Sequence, residues 1–119
     1  MTKRHALVEI EGGVAEKESL YQRLDTLAQK YKLYIICDGG SEEKSEEKRV
    51  SVENELRRRG IPASVFSPAI KFGDKICHMN GDHVVMMVCH NFSKAFIVTS
   101  TGTNKDSLKF IKGIEIIEL

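Results

Sequence analysis

The stretch Lys32-Leu33-Tyr34-Ile35-Ile36-Cys37-Asp38-Gly39-Gly40-Ser41 decides how this chain is read. Leu33 to Cys37 is an apolar run of strand length. The absence of polar alternation is what a strand covered on both faces shows. Asp38-Gly39-Gly40-Ser41 breaks the run, and a long charged helical pattern follows. Strand, glycine turn and helix start together present backbone N–H groups to an anion. The layout also occurs upstream, as Ala6 to Ile10, then Glu11-Gly12-Gly13, then another helical pattern. Two such units predict an α/β domain with ligand loops along one edge of its sheet.

Working outward, residues 5–11 read as a strand in which Leu7, Val8 and Ile10 are buried while Glu9 and Glu11 share one alternating face. Between Ala15 and Tyr31, Leu20, Leu24, Leu27, Ala28 and Tyr31 fall on one helical stripe. Glu16 and Glu18 near its start and Lys30 near its end suit the helix dipole. Residues 42–59 are strongly polar, with Glu42, Glu43, Glu46 and Glu47 in front and Arg57, Arg58 and Arg59 behind. Glu53/Arg57 and Glu55/Arg59 are i,i+4 pairs. Only Val52 and Leu56 offer an apolar face, so the opening SEEKSEEK is expected to fray. Gly60 caps the helix and Pro62 prevents its continuation.

Further strands are expected at Ala63–Ser67, Ala95–Thr99 and Ile114–Leu119, with a turn at Ser100–Thr103 and a short helix over Asp106–Lys112. Residues 76–92 admit two readings. Asn80-Gly81 is a hairpin signal, whereas Asp82 is a good N-cap for a helix from His83 to about Phe92. The helix is preferred because it gives the next strand an α/β crossover. Together these elements predict a three-layer α/β sandwich with a mainly parallel sheet, as a single domain over residues 1–119.

Composition bounds the function. A chain of 119 residues, 41% hydrophobic and 29% charged, has the balance of a soluble globular domain. Its net charge of +1 gives no global field to recruit nucleic acid or an anionic membrane, so the expected partner is a small anionic ligand or a nucleotide. No apolar run approaches the roughly 18 residues of a membrane-spanning helix. Glu9 and Glu11 interrupt the apolar run behind the basic N-terminus, which speaks against a signal peptide. Three sparse cysteines, Cys37, Cys77 and Cys89, suit reduced thiols and a cytoplasmic location. An apolar edge around Val84 to Val88 makes a homodimer an expectation.

The segments VEIEGG (8–13), LAQKY (27–31), LYIICDGGS (33–41) and ELRRRGIPASVFS (55–67) together resemble the N-terminal half of the amino acid kinase superfamily. GDHVVMMVCHNFSKAFIVTSTGT (81–103) resembles that family's run of aspartate, helix, strand and threonine-containing nucleotide loop. Family members bind ATP and phosphorylate a carboxylate, carbamate or phosphate, so the resemblance implies ATP with Mg²⁺ as the cofactor. It implies that Gly12, Gly13, Gly39 and Gly40, with Asp38 and Ser41 in the second turn, line the ligand site. Asp82 would lie near substrate, and Thr99, Ser100, Thr101 and Gly102 near the nucleotide. The family has a lysine two residues before its first glycine pair, where this chain has Ile10, and three glycines where this chain has Asp38-Gly39-Gly40. Phosphoryl transfer would need a cation supplied from elsewhere. The alternative is an interaction protein that kept the fold without the chemistry.

Glu11-Gly12, a helix and a strand ending in Asp38 also resemble a Toprim domain. That likeness implies Glu11 and Asp38 as magnesium ligands for nucleic-acid chemistry, with Gly40 at the place of a further aspartate. Cys77, His78, His83, Cys89 and His90 are candidate metal ligands by type, but their spacing matches no zinc pattern, and they read as ordinary polar and core residues. Arg57, Arg58 and Arg59 read as a solvated helix face, because Glu53 and Glu55 stand at pairing distance.

Overall fold

The structure is a computed structural model that describes residues 3–119. The chain runs through β1 (Arg4–Glu11), α1 (Glu18–Lys30), β2 (Tyr31–Asp38), α2 (Glu42–Arg59), β3 (Ala63–Phe66), β4 (Ala69–Phe72), β5 (Lys75–His78), α3 (Gly81–Val88), β6 (Lys94–Thr99), α4 (Asp106–Lys109) and β7 (Ile114–Glu118). Five strands form one sheet in the order β3-β2-β1-β6-β7. Each of its pairings is parallel. The α/β sandwich expected from the sequence is therefore observed.

Alternation along the strands divides the core in two. Ala6, Val8 and Ile10 of β1 pack with Leu33, Ile35 and Cys37 of β2 against Leu20, Leu24 and Leu27 of α1 and Val52 and Leu56 of α2. The residues between them face the other way. Leu7, Ile36, Ala95 and Ile97 pack with Val85 of α3 and Leu108 of α4. Helices on both faces explain why the central strands carry so few polar residues.

Several local expectations are corrected. The helix after Gly12-Gly13 does not begin at once, since Gly12–Glu16 first makes a tight 3-10 turn. The front of α2 is helical from Glu42, not frayed. Ser41 Oγ accepts from Lys44 N–H at 3.2 Å, and Ser45 is fully buried against the preceding turn. At the other end, Gly60 with φ 70° forms the left-handed cap.

Residues 76–92 follow the preferred helical reading, with no hairpin corner at Asn80-Gly81. An antiparallel hairpin exists, but it is β4–β5, and its corner is Gly73-Asp74 with Gly73 at φ 59°. Asn80 starts α3, because its Oδ1 accepts from Asp82 N–H at 2.9 Å. Asp82 is thus not the cap, and its carboxylate is free to face the sheet. The last helix is shorter than expected and stops at Lys109.

Candidate functional site

β1 and β2 are in register with Glu11 beside Asp38, so both glycine turns leave the same edge of the sheet. β6 pairs with the other side of β1 and brings the loop after Thr99 to that edge. The result is a cleft of about 490 Å³ lined by Glu11, Gly12, Asp38, Gly39, Gly40, Lys48, Thr99, Ser100 and Thr103. It opens between β1 and β6, where the strand order turns back on itself, which is where open α/β sheets take their ligands.

The turns are fixed from within. Gly39 N–H donates to Ser45 Oγ at 2.8 Å, and Gly40 N–H donates to Asp38 Oδ1 at 2.9 Å. Ser45 Oγ also pairs with His78 Nε2 at 3.0 Å, which ties the β4–β5 hairpin to the turn. The expectation that these two amides floor an anion site is corrected, because both already have partners. The cleft's cation is instead Lys48, whose Nζ donates to Gly12 O at 2.8 Å and Asp38 O at 3.0 Å, bridging the two turns. Gly39 serves close packing, since a Cβ there would lie 2.5 Å from the Lys44 carbonyl carbon.

Beneath this rim lies a cluster of carboxylates on the α3/α4 side of the sheet. Glu9, Glu11 and Asp82 each place an oxygen within 4.8 Å of the other two. Glu9 is fully buried, and neither of its carboxyl oxygens has a hydrogen-bond partner; Asp82 Oδ1 is likewise buried and unpartnered. Lys105, just before α4, donates to Glu11 Oε2 at 3.0 Å and Asp82 Oδ2 at 2.7 Å. Asp38 closes the group, with its Oδ2 accepting from Gly81 N–H at 2.9 Å.

Burial, followed by the proximity of Asp82, Glu11 and Asp38, pushes the Glu9 carboxyl up to about 10. Glu9 therefore holds a proton near neutrality in the absence of another cation, and that proton can be directed at Asp82. Burial also pushes Asp82 up, but the proximity of protonated Glu9 and the hydrogen bond from Lys105 outweigh it and hold Asp82 below its ordinary value. Burial works against the Lys105 charge, and its bonds to Asp82 and Glu11 prevail, raising it.

Of the residues named from the sequence, Glu11, Gly12, Asp38, Gly39, Gly40, Thr99 and Ser100 meet in the cleft, and Asp82 lies in the acidic cluster beside it. Gly13, Ser41, Thr101 and Gly102 do not line it. Ser41 is spent on capping α2, and Thr101 N–H donates to Leu119 O at 3.2 Å. Glu9, Lys48, Gly81, Thr103 and Lys105 are not among the residues that the sequence singles out. Glu9 alone left a signal, a charge in mid-strand at a position whose neighbours require burial.

The cysteines and histidines do not assemble. Cys77 is exposed, Cys37 is buried with its thiol pushed up to about 12 by desolvation, and His78 is engaged by Ser45. The edge around Val84 to Val88 is split, with Val85 in the core and Met86 and Met87 outside. A concavity of about 1110 Å³ runs along the acidic outer face of α2, and the described residues that line it, Ser41 to Asn54, all come from that helix and its cap. Among the described residues, no helix is long and apolar enough to cross a membrane.

No protein-family model matches the chain, and no curated protein matches it. Among solved structures it is similar to the translation initiation factor eIF-2B of Pyrococcus horikoshii OT3, at 13% identity and a TM-score of 0.43. The match covers 83% of this chain and 29% of that one, and a likeness of this size carries no argument about function.

Proposed function

We propose that this chain binds a nucleotide or another small phosphate-bearing molecule in the cleft at the carboxyl edge of its sheet. The observation that carries this reading is the cleft's position at the β1/β6 switch point, between two glycine turns and a hydroxyl-bearing loop. Lys48 offers a positive charge across both turns, and Thr99, Ser100 and Thr103 offer hydroxyls. The amino acid kinase likeness points to the same turns. Ile10 is buried under α1 and α2, so position 10 brings no cation to the cleft. Phosphoryl transfer to a small acid would draw on Lys48 and Lys105 instead.

A small ligand is favoured over nucleic acid because the arginines that could follow a phosphate backbone are already engaged. Arg57 pairs with Glu53, Arg58 with Glu55, and Arg59 with Glu55 and Glu18. The Toprim-like reading keeps one point in its favour, that Glu11 and Asp38 face the same cleft.

Calorimetric titration with ATP, ADP and inorganic phosphate, each with and without Mg²⁺, tests the proposal. ATP should bind and raise the melting temperature, and Lys48→Ala should weaken it roughly tenfold or more, as loss of a charge-assisted contact does. A folded protein indifferent to all three ligands, or a Lys48→Ala variant with undiminished affinity, would refute it.

A further inference from the structure

We infer that Glu9, Glu11 and Asp82 form a binding site for one hard divalent cation, with Glu9 as its buried anchor. The donor set is all carboxylate oxygen, which suits Mg²⁺, Mn²⁺ or Ca²⁺ rather than a thiophilic metal. Oxygens within 4.8 Å of one another fit a shared ion, since opposite ligands of such ions stand about 4 to 5 Å apart.

The unpartnered atoms give the second, independent indication. Both Glu9 oxygens and Asp82 Oδ1 are buried without a hydrogen bond. A carboxylate withdrawn from water in that way is costly unless a proton or a cation compensates it. Lys105 serves Glu11 and the other oxygen of Asp82, and leaves these atoms open. Four carboxylates, counting Asp38, face one lysine here, and a divalent ion on the Glu9 side would reduce the excess negative charge.

The backbone makes room for the arrangement. Gly81 opens α3 directly over the cluster, and a Cβ there would stand 2.2 Å from Glu9 Oε2 and 3.0 Å from Asp38 Oδ2. The absence of a side chain at position 81 is thus what lets the helix start approach the carboxylates. The site adjoins the cleft through Glu11, so a bound cation would offset the charge that Glu11 and Asp38 present to an incoming phosphate.

The cation site does not depend on the ligand proposed for the cleft, and the experiment uses metal alone. The full chain, stripped with chelator, is titrated with Mn²⁺, and free Mn²⁺ is read by electron paramagnetic resonance. One Mn²⁺ should bind per chain, be displaced by Mg²⁺ or Ca²⁺, and raise the melting temperature. Glu9→Gln and Asp82→Asn should each weaken it roughly tenfold or more, while Glu43→Gln on the outer face of α2 should leave it unchanged. If Asp82→Asn does not fold, Glu11→Gln takes its place. Absence of Mn²⁺ binding in the folded wild type, or equal affinity in Glu9→Gln, would overturn the site and leave Glu9 as a protonated structural acid. Nucleotide binding measured separately decides the cleft proposal either way.

Discussion

The two faces of β1 differ sharply in what they bury. Ala6, Val8 and Ile10 point toward α1 and α2 into a wholly apolar layer. Leu7 points the other way with Glu9 and Glu11, into a layer that is apolar at one end and carboxylate-lined at the other. Both faces are equally dry at Glu9 and Ile10, since each is fully buried. The same burial that stabilises through Ile10 must be compensated at Glu9. One face of the strand holds the fold together, and the other spends part of that stability on holding charge where a cation could meet it.

Substitutions can break this contrast, and the largest effect belongs to the apolar face. Leu24→Ala in α1 removes a fully buried side chain and should cost about 2–5 kcal/mol by urea denaturation. A loss well under 1 kcal/mol would mean that the α1 layer is not the tightly packed one. On the other face, Gly81→Ala should cost about 1–3 kcal/mol, because its Cβ has no space beside Glu9. Gly13→Ala is the control, with nothing near its added Cβ, and its melting temperature should stay close to that of the wild type.

A third effect sharpens the contrast through pH. The Glu9 carboxyl is raised from 4.5 to about 10 in the folded chain. The folded state therefore keeps a proton that the unfolded state releases. This contribution is complete below about 4.5 and is lost as pH rises toward about 10. In cation-free buffer the melting temperature should fall between about pH 5 and 8, a window below the thiol and phenol titrations. Glu9→Gln should flatten that slope, and a wild type with no slope there would show that Glu9 is not so perturbed. The smallest effect is expected on the surface. Arg57→Ala breaks an exposed 3.3 Å pair with Glu53 and should change stability by less than about 1 kcal/mol.

Much of the fold was legible because it rests on local patterns. The run LYIIC reads as a strand covered on both faces, and the stripe of Leu20, Leu24, Leu27 and Ala28 as a helix with one buried side, and both are what the chain forms. The preferred helix after Asn80 was right, whereas the β4–β5 hairpin was missed because Gly73-Asp74 carries a weaker turn signature than Asn80-Gly81. Asn80 caps a helix with the same side chain that would suit a hairpin corner. SEEKSEEK looked unanchored because no sequence pattern reveals that Ser45 is locked between Gly39 and His78.

The sequence by itself determined the parallel α/β architecture, the two glycine turns and their shared strand-to-helix context, because burial pattern and turn chemistry act over a few residues. Tertiary structure alone decided which of the polar residues meet. Glu9 and Asp82 are brought together from distant parts of the chain only because α3 packs on the face of β1 opposite α1 and α2. Lys105 reaches Glu11 only because the chain after β6 turns back over the same edge. Contacts of that kind depend on strand order and crossover, which no local spacing records.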